Sequence, residues 1–258
     1  MSIDFGRAAG DYAQHRAGFP AIFFDRLLAD GTVHRGDLVL DLGTGTGTVA
    51  RGLAMRGCVV TAVDFSAPLL AQAAELDQAA GVTVKQVRAR VENAEFAPVS
   101  FDVVTAGQCW HWFDRLRTAA LVRRWLRPGG RLVIAHFDWL PLAGNMVQAT
   151  ERLILAYNPG WTLHSGSGVY PAWLKDAAEA GFVELQTYSF DIDVPYDHEG
   201  WRGRIRASAG IGASLDETKV QRFDLELAAL LTAHYPTEPM AVPHRVWVLS
   251  ATAPGLLL

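Results

Sequence analysis

A glycine-rich segment that directly follows a short apolar run limits most strongly how this chain can fold. The run from Asp37 to Asp41 reads Asp-Leu-Val-Leu-Asp and leads into the cluster Gly43-Thr44-Gly45-Thr46-Gly47. An apolar run that ends in alternating glycines and continues into a helical pattern from Thr48 to Arg56 predicts a strand, a tight loop and a helix. Glycines let a ligand approach the backbone amides of such a loop. The segment therefore predicts a ligand-binding site at the end of the strand.

The alternation of strands and helices continues along the chain. Apolar strands separated by helices of about ten or more residues are typical of βαβ units, which form a parallel sheet with helices on both faces. We therefore expect an α/β fold with a doubly wound sheet. The predicted strands are Asp37 to Asp41, Val59 to Asp64, Val82 to Val87, Phe101 to Gly107, Arg131 to Phe137, Phe182 to Phe190 and Arg245 to Ala251. The predicted helices are Phe19 to Asp30, Thr48 to Arg56, Ala67 to Ala80, Arg115 to Leu126, Pro171 to Ala180, Gly200 to Ala207 and Ser214 to His234, and Pro128-Gly129-Gly130 predicts a break.

The alternation lapses after the fifth strand, between Asp138 and Gly181. This stretch is rich in tryptophan and tyrosine and contains the loose segment Ser165-Gly166-Ser167-Gly168. An insertion beside the carboxyl edge of a sheet often forms a lid, so we expect a lid-like insertion here. The late strands complete the same sheet, which predicts a single domain over residues 1–258. Its predicted parts are a helical cap (1–36), a cofactor-binding core (37–137), the insertion (138–181) and the C-terminal completion of the sheet (182–258).

Composition limits the partners and the location of the protein. The chain has 23 Lys and Arg against 27 Asp and Glu, a net charge of −4, so no net positive field attracts nucleic acid or an anionic membrane. The two cysteines, Cys58 and Cys109, are too few for a disulfide framework. No window reaches the roughly 18 apolar residues of a spanning helix, and the first residues do not resemble a signal peptide. We therefore expect a cytoplasmic protein that binds neither nucleic acid nor membrane.

Two carboxylates narrow the class of ligand. The stretch Gly45 to Ala50 also fits the G-x-G-x-x-A pattern of dinucleotide-binding enzymes, and Asp64 follows Gly45 by 19 residues, so spacing alone leaves that cofactor open. Asp41, at the end of the first strand, would repel a pyrophosphate in a poorly screening medium. S-adenosylmethionine carries a sulfonium and an ammonium group and no phosphate, and its ribose diol suits a bidentate hydrogen bond with Asp64. Charge therefore favours S-adenosylmethionine.

Five segments in a fixed order carry a resemblance to a known family. They are Val39 to Gly47, Val63-Asp64-Phe65-Ser66, Ser100 to Val104, Gln108-Cys109-Trp110-His111-Trp112-Phe113-Asp114 and Leu126-Arg127-Pro128-Gly129-Gly130. Together they resemble the class I S-adenosylmethionine-dependent methyltransferases, in particular the small-molecule type 11 group with its ubiquinone/menaquinone-biosynthesis and trans-aconitate methyltransferases. The resemblance covers about residues 8 to 137. It implies a Rossmann-like, seven-stranded, mostly parallel sheet whose last strand is antiparallel.

The resemblance also implies roles for individual residues. The three loop glycines would contact the methionine part of the donor, Asp64 the ribose and Phe65 the adenine face. The segment Tyr12-Ala13-Gln14-His15-Arg16 is similar to an element that closes over the cofactor in this group. Where many relatives have Gly-Asp-Ala-Glu after the third strand, this chain has Ala89-Arg90-Val91-Glu92, so we expect backbone near Val91 or the Glu92 carboxylate to contact adenine. The predicted cofactor-binding residues are Tyr12, Arg16, Asp41, Gly43, Thr44, Gly45, Gly47, Asp64, Phe65, Ser66, Val91, Glu92, Gln108, His111 and Trp112.

The residues after the fourth strand are the candidates for chemistry. Methyl transfer from a sulfonium is an in-line displacement that mainly needs alignment, with a general base only when the acceptor must lose a proton. Gln108, His111 and Trp112 are expected at the carboxyl edge of the sheet. His111 is the candidate catalytic base, since an unperturbed imidazole is largely neutral at cellular pH. We favour the alternative that it forms a wall of the cofactor site.

The remaining residues of this loop and of the fifth strand point to packing more than to chemistry. Trp110 and Trp112 lie on one short loop and cannot point the same way, so we expect one in the core and the other at the pocket. Cys109 is expected to pack in the interior. His136 and Asp138 lack a third ligand with supporting spacing, so we expect no metal site.

The acceptor and the reaction class leave alternatives open. Trp139, Tyr157, Trp161, Tyr170 and Trp173 would form either an apolar lid over the acceptor or core packing beneath the insertion. We predict methyl transfer to a small-molecule acceptor of apolar or aromatic character. One alternative is a protein of the same fold that binds S-adenosylmethionine or a derivative as a binding or regulatory module without methylating. Another is an NAD(P)-dependent oxidoreductase.

Overall fold

The computed structural model describes residues 17–255. Tyr12, Arg16 and the first part of the predicted helical cap lie outside the described residues. Within that part of the chain the helices are α1 (Ala21–Ala29), α2 (Thr48–Ala54), α3 (Ala67–Ala79), α4 (Arg115–Trp125), α5 (Met146–Tyr157), α6 (Pro171–Glu179), α7 (His198–Arg206) and α8 (Glu217–His234). The strands are β1 (Leu38–Leu42), β2 (Val59–Asp64), β3 (Val84–Arg88), β4 (Phe101–Gly107), β5 (Leu126–Trp139), β6 (Val183–Tyr196) and β7 (Met240–Thr252), with short 3-10 turns at Val91–Asn93 and Trp110–Trp112.

Seven strands of the described chain form one sheet in the order β3-β2-β1-β4-β5-β7-β6. Strands β1 to β5 pair in parallel. Strand β7 runs antiparallel to β5, because Gly129 N donates to Ala253 O (2.9 Å) at one end and Leu140 N donates to Pro243 O (2.8 Å) at the other. The predicted seven-stranded, mostly parallel α/β sheet with an antiparallel last strand is confirmed. The strand order reverses between β1 and β4, which in such sheets opens a crevice at the carboxyl ends.

The described chain divides into two compact units. The core unit comprises Gly18–Phe137, Tyr170–Phe190 and residues 246–255, and the insertion unit comprises Asp138–Val169, Asp191–Arg245 and Ala17. The predicted insertion over 138–181 therefore contributes to both units, since α6 belongs to the core unit. The predicted single domain and its four parts stay a prediction.

Apolar burial explains the strands of the core unit. Val39, Leu40 and Leu42 of β1 are fully buried although neighbouring side chains point to opposite faces, as expected for a central strand with helices on both sides. Trp110 and Trp125 are the largest fully buried side chains of the cluster around this sheet. Burying a large apolar side chain stabilises the fold by about 1.5–3 kcal/mol, so this cluster fixes the sheet that carries the site.

The break predicted at Pro128-Gly129-Gly130 is wrong. Strand β5 runs through these residues and begins at Leu126. The reason is tertiary: Gly129 N donates to Ala253 O and Ala253 N donates to Gly130 O (2.8 Å), so β7 gives the glycines ladder partners. Strands β6 and β7 are also longer than predicted, while β2 and β4 have the predicted bounds.

The insertion unit contains a helix, α5, that we did not predict from the sequence. The Asn145 side chain caps it by accepting from Gln148 N (2.9 Å). Its buried residues are Met146, Val147, Thr150, Glu151 and Ile154, which recur at helical spacing. An amphipathic pattern after an Asn cap was therefore present in the sequence, but the aromatic and glycine-rich residues around it suggested a loop.

The segment predicted to be loose is hydrogen-bonded at two points within the insertion unit. Glu151 is buried and accepts from Ser165 N (2.8 Å) and from Trp139 Nε1 (2.8 Å). Arg245 Nη1 donates to Ser167 O (3.0 Å) and its guanidinium also binds Asp191. A lid function for this part of the chain stays a prediction. None of the helices between residues 17 and 255 is long and apolar enough to cross a membrane.

Candidate active site

The glycine loop after β1 adopts a backbone that only glycine adopts without strain. Gly43, Gly45 and Gly47 have φ angles of 56°, 57° and 79°, in the left-handed region. A Cβ added to Gly43 would lie 2.9 Å from the Cβ of Cys109, closer than side chains approach. The first glycine is therefore required both by the turn and by the neighbouring residue after β4.

Asp64 at the end of β2 is bonded to the glycine loop. Its Oδ2 accepts from Gly45 N (2.9 Å) and its Oδ1 accepts from Ser66 N (2.8 Å). Burial raises the pKa of this carboxyl above its ordinary value, and the backbone donors oppose that effect. Each carboxylate oxygen has a second lone pair, so Asp64 keeps acceptor capacity for a hydroxyl of a ligand.

Asp41 lies below the loop and is almost completely buried. Its Oδ1 accepts from Thr105 Oγ1 of β4 (2.6 Å). Burial raises the pKa of Asp41 to about 6, against hydrogen bonds from Thr105, Thr44 and the backbone of Ala50 that lower it. When ionised, the carboxylate also acts on the loop through its charge, which is screened poorly in the interior.

The residues predicted to surround adenine lie after β2 and β3. The ring of Phe65 is 56% exposed, and the guanidinium of Arg90 lies 4.9 Å from its centroid. Val91 is buried in a 3-10 turn, and Glu92 Oε1 accepts from Asp114 N (3.0 Å). One oxygen of Glu92 is thus engaged next to the start of α4, and contacts of the backbone near Val91 or of the Glu92 carboxylate with adenine stay a prediction.

Gln108 joins the ends of two neighbouring strands. Its backbone N donates to Ala135 O (2.8 Å) and its side-chain Nε2 donates to Phe137 O, both on β5. The φ angle of Gln108 is 63°, in the left-handed region, which is unfavourable for residues other than glycine. Non-glycine residues in this conformation cluster at functional sites. The turn after β4 is therefore held in a defined position relative to β5.

The two tryptophans after β4 point to different environments, as predicted. Trp110 is fully buried and its Nε1 donates to Asp176 Oδ2 on α6 (3.0 Å), whereas Trp112 is 43% exposed. Cys109 is buried, as predicted, and its Sγ lies 3.0 Å from Leu42 O. The turn thus buries one aromatic ring as an anchor and presents the other at the surface.

His111 adjoins a group of stacked aromatic rings in the core unit. Its ring centroid lies 4.4 Å from Trp112 and 5.7 Å from His136. His136 is buried, and its Nε2 accepts from Trp173 Nε1 (3.2 Å). Tyr170 stacks on His136 with centroids 3.8 Å apart.

Comparisons with known proteins identify the family of the chain. Residues 40–134 match a family model described as a methyltransferase domain. A malonyl-[acyl-carrier protein] O-methyltransferase of Salmonella typhimurium is 36% identical over 194 residues, which cover 70% of this chain and 75% of that protein. The chain belongs to the class I S-adenosylmethionine-dependent methyltransferases.

Two further proteins are similar to this chain over different lengths. An uncharacterized methyltransferase of Mycobacterium tuberculosis is 38% identical over 135 residues, so the similarity spans about half (51%) of each of the two proteins. The solved structure of a candidate type II methyltransferase from Anaeromyxobacter dehalogenans has the same fold, with a TM-score of 0.64, 23% identity and coverage of 93% of this chain and 99% of that one.

Asp176 on α6, which lies beside the predicted site, was not predicted, and Trp173 on the same helix was predicted only as a member of the aromatic cluster. Trp173 orients His136, and Asp176 accepts from Trp110 and lies 3.5 Å from Arg115 Nε. They are three positions apart and so lie on one face of the helix. A Trp and an Asp at this spacing before the sixth strand were the available signal, but their partners lie 37 and 66 positions away.

The predicted site residues of the methyltransferase fall into three groups. Asp41, the loop residues, Asp64, Phe65, Ser66, Val91, Glu92, Gln108, His111 and Trp112 all lie in the core unit, at or after the ends of β1 to β4. Tyr12 and Arg16 lie outside the described residues. The predicted aromatic cluster is divided, because Trp139, Tyr157 and Trp161 belong to the insertion unit and Tyr170 and Trp173 to the core unit. Among residues 17–255 no three His, Cys, Asp or Glu side chains form a metal-binding group.

Proposed function

We propose that this methyltransferase transfers a methyl group from S-adenosylmethionine to a small-molecule acceptor by in-line displacement. The carboxylate of Asp64 carries the proposal. It ends β2 beside the glycine loop, and one backbone N–H orients each of its oxygens. The free lone pairs of those oxygens suit the two hydroxyls of a ribose.

The carboxylates next to the glycine loop suit S-adenosylmethionine better than they suit a dinucleotide. Asp41 and Asp64 place two buried carboxylates at the ends of β1 and β2. A negative potential in a poorly screened interior attracts a cation and repels a pyrophosphate. S-adenosylmethionine supplies a methyl group on a cationic sulfur, and displacement requires the acceptor atom in line with that carbon–sulfur bond.

The chain's own residues align the reactants on the side of β4. We infer that Gln108, fixed to β5 by two hydrogen bonds, and His111 form the wall of the donor site. The second hypothesis, that His111 removes a proton from the acceptor, applies when the acceptor is an acid such as a hydroxyl. The wall role is favoured because displacement at a sulfonium needs no base when the acceptor already has a free lone pair.

We infer an acceptor of apolar or aromatic character. Trp112 leaves 43% of its surface exposed directly beside His111, and an exposed indole face next to the reacting groups favours a planar or apolar partner. A cytoplasmic location, without nucleic acid or membrane partners, stays a prediction that rests on the net charge of −4 and the sequence pattern.

A donor-turnover assay tests the proposal. The protein is incubated with methyl-labelled S-adenosylmethionine and fractions of a metabolite extract, and release of S-adenosylhomocysteine is measured together with labelled product. We expect both to appear in the same fraction. Calorimetric binding of the donor with no labelled product in any fraction would favour the binding-module alternative. Binding of NAD in place of the donor would favour an oxidoreductase.

A further inference from the structure

An ion pair lies directly behind the glycine loop. Arg51 on α2 donates from one nitrogen, Nη1, to Thr46 O of the loop (3.1 Å) and to Asp77 Oδ1 on α3 (3.1 Å). Both side chains are largely buried, with 15% of Arg51 and 7% of Asp77 exposed. A guanidinium thus connects a loop carbonyl to a carboxylate on the neighbouring helix.

The packing around the pair leaves little room for a side chain at residue 47 of the loop. A Cβ added to Gly47 would lie 3.3 Å from Arg51 Nη1 and 3.3 Å from the Cβ of Ala73, tighter than most real contacts. Gly47 also has a φ of 79°, which disfavours a side chain. The third glycine therefore lets α3 and the guanidinium approach the loop closely, and the hydrogen bond to Thr46 O then fixes the orientation of the loop peptides.

The charge of Arg51 is a liability for a site that binds a cation. Asp41 and Asp64 favour a sulfonium, but an uncompensated guanidinium in contact with the loop would oppose them. Asp77 offsets that charge by accepting from the same guanidinium nitrogen that donates to the loop carbonyl. Burial raises the pKa of Asp77 on balance, while the hydrogen bond and the charge of Arg51 oppose that effect and favour the ionised carboxylate.

We propose that Arg51 and Asp77 are positioning residues for the methyl donor. Arg51 fixes the Thr46 carbonyl, and Asp77 neutralises Arg51 so that the loop keeps its preference for the sulfonium donor over the neutral thioether product. This inference rests on the proposed function, because it assumes that S-adenosylmethionine occupies the glycine loop.

Titration calorimetry with both ligands tests the two roles separately. Asp77→Asn leaves the guanidinium uncompensated, so we expect the Kd for S-adenosylmethionine to rise about three- to tenfold more than the Kd for S-adenosylhomocysteine. Arg51→Met removes the loop contact, so both Kd values should rise, and it leaves the Asp77 carboxylate uncompensated, so the Kd for S-adenosylmethionine should rise less than the Kd for S-adenosylhomocysteine. The double variant Arg51→Met/Asp77→Asn should return the ratio of the two Kd values to that of the wild type.

Two further variants keep the result interpretable. Asp25→Asn removes the carboxylate that pairs with Arg56, another arginine next to α2, at 2.6 Å and should leave both Kd values unchanged. If Arg51→Met does not fold, Arg51→Lys keeps the charge on a side chain that ends one atom earlier, which weakens the contacts to Thr46 O and Asp77, so both Kd values should rise with their ratio unchanged.

The outcomes distinguish this inference from the proposed function. Wild-type protein that binds neither ligand contradicts the proposed function. Wild-type binding with an unchanged Kd ratio in a folded Asp77→Asn variant overturns the neutralising role of Asp77. Unchanged affinities in folded Arg51→Met and Arg51→Lys variants overturn the positioning role of Arg51.

Discussion

Two turns of the core unit, the glycine loop after β1 and the Trp110–Trp112 turn after β4, are each braced by a buried carboxylate on a helix. Asp77 on α3 holds the glycine loop through Arg51, and Asp176 on α6 holds Trp110 directly. The braces differ in sequence distance. Asp77 follows Arg51 by 26 positions, whereas Asp176 follows Trp110 by 66 and comes after the insertion.

The two braces also differ in their position relative to the family match. The family model covers residues 40–134, which include the glycine loop, Arg51 and Asp77 but not α6. The turn with His111 lies within residues 40–134 as well, but its brace, Asp176 on α6, lies outside them.

The largest expected effect concerns Asp41, whose hydrogen bond to Thr105 joins the strands that precede the two turns. Its pKa rises from 3.8 to about 6 on folding, so the folded state binds the proton more tightly. The stability that this provides is complete below about pH 4 and is lost as the pH rises through 6, about 3 kcal/mol in all. We expect Asp41→Asn to abolish this loss, as measured by denaturant unfolding from pH 4 to 7. Parallel stability curves for the two proteins would contradict the burial of an ionisable Asp41.

Asp64→Ala tests the donor side alone. The ribose would lose a charge-assisted hydrogen bond, so we expect the free energy of donor binding to weaken by about 1.5–3 kcal/mol for S-adenosylmethionine and S-adenosylhomocysteine alike. Calorimetry measures both affinities. An unchanged affinity in the folded variant would remove Asp64 from the site.

Asp176→Ala tests the brace of the other turn. The variant leaves the buried Trp110 indole N–H without its acceptor, which we expect to lower the free energy of unfolding by about 1–3 kcal/mol. Turnover should fall while donor affinity stays at the wild-type value. Asp176→Asn is the matched control, because its side-chain oxygen still accepts the hydrogen bond and only the charge facing Arg115 is lost. Equal loss of donor affinity and turnover would show that the two turns are not independent.

The smallest expected effect is that of His111→Gln. If His111 forms a wall, donor affinity should weaken by about 1 kcal/mol, the value of a typical hydrogen bond, with little change in turnover at saturation. A fall of about 10²- to 10⁴-fold in saturated turnover, with donor affinity preserved and the acidic limb of the pH profile lost, would instead assign His111 as the base.

The sequence by itself determined the features that depend on near neighbours. Alternating apolar strands and helices predicted the doubly wound sheet, and β2 and β4 have the predicted bounds. Glycine at alternate positions predicted the loop, because a left-handed backbone is a local property of the residue. The geometry also predicted that Trp110 and Trp112 would point apart, since two bulky side chains on one short turn cannot share a direction.

The tertiary structure alone decided which residues act together. It buried Trp110 and not Trp112, extended β5 through Gly129 and Gly130, and paired Trp173 with His136. Sequence periodicity reports only neighbours within a few positions, whereas each of these outcomes depends on a partner dozens of residues away. Burying a carboxylate such as Asp77 or Asp176 costs free energy unless a hydrogen-bond donor accompanies it. The donors of these two residues are distant in the sequence, so only the folded chain shows which residue each carboxylate binds.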